Sequence, residues 1–303
     1  MKERFGKKLR PLTLLDLKKD IGVVSHDKRQ CSLGEGAFWH PTRKQLFWFD
    51  ILEKKLLTVD NKNPLEWQFD EHVSAAGWID ENCLLIASET KLFSFNLGTS
   101  DLVNVCELEA SIANNRSNDG RADPWGGFWI STMGKGAEQK AGSIYRFYNG
   151  QLRRLHDGFT IPNSICFSPD ETYAYFSDTS RQTIFKQTLI KEDGWPAGEA
   201  EVFADFSEEG LNPDGAVVDK NGNIWCAFWG SSQIVCLSSD GAVIRRVNVA
   251  TQQPSCVAFG DDDFGTLYIT SAYQGLSLKS ESDGQTLKIN TDLNGLPEPR
   301  VIL

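Results

Sequence analysis

Several features are scarce in this chain of 303 residues, and each scarcity removes a class of function. Uncharged apolar runs are short, and none approaches the roughly 18 residues of a membrane-spanning helix. The early run Leu12–Leu15 is brief and is followed by Asp16 and Asp20. That pattern disfavours a secretory or transit peptide. Positive charge is in deficit: 31 Lys and Arg against 41 Asp and Glu leave a net charge of −10. Phosphate backbones are gripped by clustered Lys and Arg, so nucleic acid is not an expected partner. No segment points to a membrane or to an obligate protein partner. The seven cysteines are an odd number with no close pair, and most sit beside hydrophobic residues. Buried, reduced thiols in a cytoplasmic protein are the expectation. No Cys/His cluster has zinc-site spacing, and His26, His40, His72 and His156 form neither a metalloprotease motif nor a triad. Each is expected to be a surface or structural histidine. Long helical periodicity, linkers and low-complexity segments are also missing.

What the chain does have is a repeat. Leu46-Phe47-Trp48-Phe49 returns as Leu84-Leu85-Ile86-Ala87, Phe128-Trp129-Ile130-Ser131, Ala174-Tyr175-Phe176-Ser177, Ile224-Trp225-Cys226-Ala227 and Leu267-Tyr268-Ile269-Thr270. The steps are 38, 44, 46, 50 and 43 residues. Short strands repeating every 40 to 50 residues or so are the signature of a β-propeller. Asn149-Gly150, Asp240-Gly241 and similar pairs supply the positive φ angles of tight hairpins. The prediction is an all-β fold: a six-bladed β-propeller with a metal site in its central channel. It would form one domain over residues 1–303, with 1–29 as a lead-in. Closure of the ring is assigned to Val23-Val24 and to Val301-Ile302-Leu303, sharing one blade.

Four segments carry chemistry. Glu35 lies between Gly34 and Gly36, where backbones approach closely, ahead of a strand. Asn115-Arg116-Ser117-Asn118-Asp119-Gly120 reads as a turn at one end of the channel. There Arg116 could hold a substrate hydroxyl or carboxylate, and Asn118 could offer an amide oxygen. Pro162-Asn163-Ser164 and Pro213-Asp214-Gly215 each stand before an apolar strand. The parallel places Asn163 and Asp214 at equivalent points of successive blades, aimed into one channel. Each segment alone is also compatible with an ordinary solvated turn. Together, Glu35, Asn163 and Asp214, with Asn118 as a fourth candidate, form a hard oxygen set suited to Ca²⁺, Mg²⁺ or Mn²⁺.

At these residues the chain resembles the senescence-marker-protein/gluconolactonase family, which includes regucalcin and luciferin-regenerating enzyme. The resemblance spans roughly residues 30 to 275. It rests on Gly34-Glu35-Gly36, Asn115-Arg116-Ser117-Asn118-Asp119, Ser131-Thr132-Met133, Pro162-Asn163-Ser164, Ser168-Pro169-Asp170 and Pro213-Asp214-Gly215. It implies a six-bladed propeller with one divalent cation in the channel, Ca²⁺ first and Zn²⁺, Mn²⁺ or Mg²⁺ as alternatives. It implies that Glu35, Asn163 and Asp214 ligate that cation, that Asp214 is the general base, and that Arg116 and Asn118 contact substrate. Some relatives carry an acidic substrate contact just after the Thr-Met pair. Here Thr132-Met133 is followed by Gly134-Lys135-Gly136, and Glu138 comes only later. That departure bears on which sugar is accepted.

The function implied is hydrolysis of a sugar lactone, a small molecule, to its open aldonic acid. Two other readings remain open on the sequence. One is a calcium-dependent phosphotriesterase or arylesterase on the same fold. The other is a non-catalytic calcium-binding propeller, since fold does not fix function. The repeated Trp-Asp and Gly-His signatures of the commonest interaction propellers are absent.

Overall fold

The computed structural model describes residues 22–303. Its strands form six four-stranded antiparallel sheets. The innermost strands are Gly34–His40, Val73–Trp78, Asn115–Ala122, Pro162–Phe167, Asn212–Val218 and Gln253–Gly260. Each packs on the next, and the last packs on the first, so the sheets are the blades of a closed six-bladed β-propeller. Residues 12–17, whose sequence is compatible with a short strand or a turn of helix, lie outside the described residues.

The apolar repeat forms the second strand of every blade: Gln45–Asp50, Cys83–Ser88, Phe128–Gly134, Tyr173–Asp178, Ile224–Trp229 and Thr266–Ala272. These strands are buried along nearly their whole length. A blade packs against a neighbour on each face, so its second strand needs apolar side chains on both sides rather than alternation. Trp48, Trp129 and Trp225 are completely buried there. Truncating any of them to Ala should cost about 3–5 kcal/mol. The outer strands, such as Val243–Asn248, alternate between exposed and half-buried positions.

Ring closure differs in part from the expectation. Val24–Asp27 is indeed the outer strand of the sixth blade, paired antiparallel with Thr286–Asn290. Val301-Ile302-Leu303 belongs to no sheet. The amide of Val301 donates to Trp78 O at 2.9 Å, and that of Ile302 donates to Gly126 O at 2.8 Å. The chain end is a strap over one end of the channel. Its apolar character reflects the burial of Val301 against the second and third blades, not strand pairing.

A second correction concerns the turn-like motifs. Residues 115–122 are an eight-residue strand, and Glu35, Asn163 and Asp214 also lie within strands rather than ahead of them. Every innermost strand breaks register with its partner at the same level. The glycines, prolines and Asn-Asp pairs that read as turns serve these bulges, which re-aim side chains out of the pleat. Gly36 shows the constraint: its φ is +57°, and a Cβ there would lie 2.1 Å from Ser74 O.

Candidate active site and metal centre

The register fixes what the bulges present. Pro162 pairs with Asp178, Pro213 with Phe228, Ser117 with Thr132, and Gly34 with Asp50. These partners lie at the same end of the apolar repeat. The next residues are Asn163, Asp214, Asn118 and Glu35, which are therefore equivalent around the ring. Ser74 follows Val73, paired with Ser88, and Ser255 follows Pro254, paired with Ser271. Six blades thus offer Glu, Ser, Asn, Asn, Asp and Ser at one level. Ser74 Oγ is spent on Asn118 O at 2.6 Å and Ser117 Oγ, and Ser255 Oγ on Gly34 O. The other four face a cavity of about 350 Å³, which Arg116 and Thr179 also line.

Glu35 and Asp214 are buried, at 7% and 4% exposure, and lie close enough to hydrogen-bond one another. Burial comes first in raising both carboxyls well above the usual carboxylate range, and nearby negative charge adds to it. For Glu35 that charge is chiefly Asp119; for Asp214 it is chiefly Glu35. Asp119, fully buried behind them, is pushed up to about 6 by burial, although Ile165 N donates to it at 2.7 Å. Arg116 is lowered to about 10, again by burial, and the charges of Glu35 and Asp214 oppose the shift.

The amides are held by a chain of hydrogen bonds. Asn163 Nδ2 donates to Thr179 Oγ1 at 2.8 Å, and Thr179 Oγ1 donates onward to Pro213 O at 2.7 Å. That leaves Asn163 Oδ1 as the cavity-facing atom. It accepts from Asn118 Nδ2 at 2.8 Å and keeps a free lone pair. Asn118 Oδ1 instead accepts from Arg116 Nη1 at 2.8 Å, so this amide braces Asn163 and Arg116. Thr179 had no sequence signal of its own. It follows Asp178 at the end of the fourth blade's apolar strand, and only strand pairing shows that it sits between Asn163 and Asp214.

The donor set fits a hard divalent cation. Two mutually repelling buried carboxylates gain from a cation between them, and Asn163 supplies a fixed amide oxygen. Among the described residues no three His, Cys, Asp or Glu side chains are grouped so as to hold a metal ion; beside the two carboxylates the cavity offers the amide oxygen of Asn163. The bond from Asn163 to Thr179 is the kind of outer support that orients such ligands.

The remaining lining is asymmetric. Leu33, Met133, Ile161 and Trp229 give apolar surface, while Lys135 stands on the rim after the third blade's second strand. Glu138 folds back on its own loop, accepting from Gly136 N at 3.1 Å. Asp170 caps an outer turn, accepting from Ser168 Oγ at 2.6 Å. All seven cysteines are free and buried or half-buried. His40 is a structural residue whose Nε2 lies 3.0 Å from Asp80 O.

A closed propeller with a ring of buried oxygen donors at one channel mouth defines a class: small-molecule-binding propellers with the makings of a cation site. Within that class the chain belongs to the SMP-30/gluconolactonase/LRE-like family, whose model matches residues 33–273. It is 35% identical over 254 residues to the L-arabinolactonase of Azospirillum brasilense, covering 81% of this chain and 83% of that one. It is 30% identical over 275 residues to the 6-deoxy-6-sulfogluconolactonase of Pseudomonas putida, covering 88% and 94%. The solved structure of a calcium-binding protein, regucalcin, from Agrobacterium tumefaciens superposes with a TM-score of 0.89 at 36% identity. That match covers 92% of this chain and 97% of the other. Among the described residues no helix is long and apolar enough to cross a membrane.

Proposed function

We propose that the protein is a metal-dependent hydrolase that opens a sugar aldonolactone to its aldonic acid, of the gluconolactonase or arabinolactonase type. The observation that carries this reading is the convergence of Glu35, Asn163 and Asp214 on one cavity with Arg116 beside them. The names of relatives matching along most of the chain support it. Glu35, Asn163 and Asp214 would hold one divalent cation, with Ca²⁺ favoured by the all-oxygen set. When bound, it would supply a Lewis acid for the lactone carbonyl, stabilising the oxyanion of the tetrahedral intermediate.

The chain's own residues do the rest. Arg116, buried and braced by Asn118, presents its remaining N–H groups to ring hydroxyls. Asp214 takes a proton from the attacking water as the new C–O bond forms. The proton then passes to the ring oxygen as the lactone C–O bond breaks. One water is consumed and one carboxylic acid is produced. Burial raises the proton affinity of Asp214, which makes it a stronger base than an exposed carboxylate. The same carboxylate would also help to hold the cation, so Asp214 would serve both as ligand and as base. The free thiols support a cytoplasmic location.

The apolar wall of Leu33, Met133, Ile161 and Trp229 favours a second reading, an arylesterase or phosphotriesterase. One assay separates the two. Chelator-stripped protein is supplied with Ca²⁺, Mn²⁺, Mg²⁺ or Zn²⁺, and acid release is followed from γ- and δ-aldonolactones, an aryl ester and a phosphotriester. Metal-restored hydrolysis of the lactones is the expected result. Turnover of the esters alone would replace the lactonase reading, and no turnover from folded protein would leave a binding module.

A further inference from the structure

We propose that Arg116 and Lys135 form a subsite for an anionic group, a carboxylate or sulfonate carried by the lactone away from its ring carbonyl. This rests on the lactonase reading and narrows its substrate class.

The argument begins with Arg116. It is buried and lines the cavity, and its hydrogen-bond acceptors are neutral: Ser117 O at 2.9 Å and Asn118 Oδ1 at 2.8 Å. Among the described residues no carboxylate forms an ion pair with it. Glu35, Asp214 and Glu89 act on it only through space. A divalent cation held by Glu35 and Asp214 would cancel their charge, leaving the guanidinium with only Glu89, which is already paired with Lys135, as a counter-charge. A buried charge in that state is costly, and an anion in the cavity relieves it.

Lys135 extends the same wall to the rim. Its Nζ lies 2.5 Å from Glu89 Oε2 and 3.1 Å from Ala113 O, leaving a third N–H. Glu89 also pairs with His72 and accepts from His72 N at 3.1 Å, so the ammonium is anchored between the second and third blades. Glu89 does not line the cavity, whereas Lys135 does. Beside Lys135 the rim offers Gly136 and Ala137, and Glu138 is turned back onto Gly136. No acid on this loop competes for the lysine from the cavity side. With a cation in place, Arg116 and Lys135 would be the uncancelled charges among the residues that line the cavity, inside a protein of charge −10. Ring hydroxyls accept from Arg116 as hydrogen-bond partners, whereas an anionic substituent is in addition drawn in by that field.

The test compares kcat/KM of cation-loaded protein for glucono-δ-lactone and for a glucarolactone bearing a free carboxylate. The carboxylated lactone should be preferred by about tenfold at low salt, the scale of one charge-assisted contact, and less at high salt. Lys135→Gln should shrink that ratio, and Lys135→Arg should preserve it. Equal rates in the wild type, or an unchanged ratio in Lys135→Gln, would overturn the subsite. If neither lactone is hydrolysed, the lactonase reading fails and calorimetry decides the subsite alone. Glucarate binding more tightly than gluconate, with the difference lost in Lys135→Gln, would sustain it. Equal binding of the two acids would overturn it.

Discussion

The two ends of the channel are built from similar materials and satisfied in opposite ways. At the closed end, Arg121 donates to Ile165 O at 3.0 Å and to Ala216 O at 3.1 Å, and pairs with Glu298 of the C-terminal strap. The strap is tied down in turn, with Trp78 Nε1 donating to Glu298 O at 2.8 Å. A buried guanidinium there meets a carboxylate and two carbonyls, and its charge is answered. Earlier on the same strand, at the open end, Arg116 meets neutral oxygens while two carboxyls crowd each other. The closed end is a finished structural network. The open end keeps charge and lone pairs in reserve for something that binds. Unanswered polarity in a buried cavity, more than polarity as such, separates site from scaffold.

The largest effect should come from breaking the open end at its chemistry. Asp214→Ala removes the base and one cation ligand, and kcat should fall by about 10³-fold or more. Near-normal kcat in that variant would reject the assignment. The closed end should respond in stability instead. Arg121→Met strands the half-buried carboxylate of Glu298 and should cost about 3 kcal/mol, seen as a lower melting temperature. Cation affinity in the surviving folded protein should change little. Thr179→Val sharpens the contrast further, because it removes the anchor of Asn163 without touching a carboxylate. Calorimetry should show about tenfold weaker cation binding, and Thr179→Ser should restore it. Undiminished affinity in Thr179→Val would assign the residue to packing.

A pH series gives the smallest and most graded effect. The folded-state affinities of Glu35 and Asp214 for protons are raised. In the cation-free protein their contribution to stability is therefore fully present below the unfolded carboxylate pKa and is lost as pH rises through the folded values. Protons and cation compete for the same oxygens. Cation affinity should climb as pH rises towards about 8, the value to which burial raises Glu35, and the added cation should raise the melting temperature more at the higher pH. A pH-independent affinity would place the cation elsewhere.

The fold was legible because a propeller writes its second strands as a repeat: Trp129 and Trp225 mark the same buried position in two blades, and Trp48 lies one residue further along its own repeat. Glu35, Asn163 and Asp214 were legible as a set because their flanking residues recur. Parts of the innermost strands were read differently: residues 115–120 as a turn, and Glu35, Asn163 and Asp214 as lying just ahead of their strands. Gly34-Glu35-Gly36 and Ser117-Asn118-Asp119-Gly120 have turn chemistry, and nothing local distinguishes a turn from a bulge that borrows the same residues. Two contributors left no local trace. Thr179 acts through a bond to Asn163, 16 residues earlier, and one to Pro213, 34 residues later. The strap at Val301 owes its place to Trp78 O and to the apolar wall between two blades. Such contacts are set by closure of the ring.

The central claim is that one cation sits at the open end, on Glu35, Asn163 and Asp214. Its most direct test is calorimetric titration of chelator-stripped protein with Ca²⁺, in the wild type and in Glu35→Gln. The account predicts one equivalent bound by the wild type and affinity lowered by at least about tenfold in the variant. Equal binding by the two proteins would contradict it.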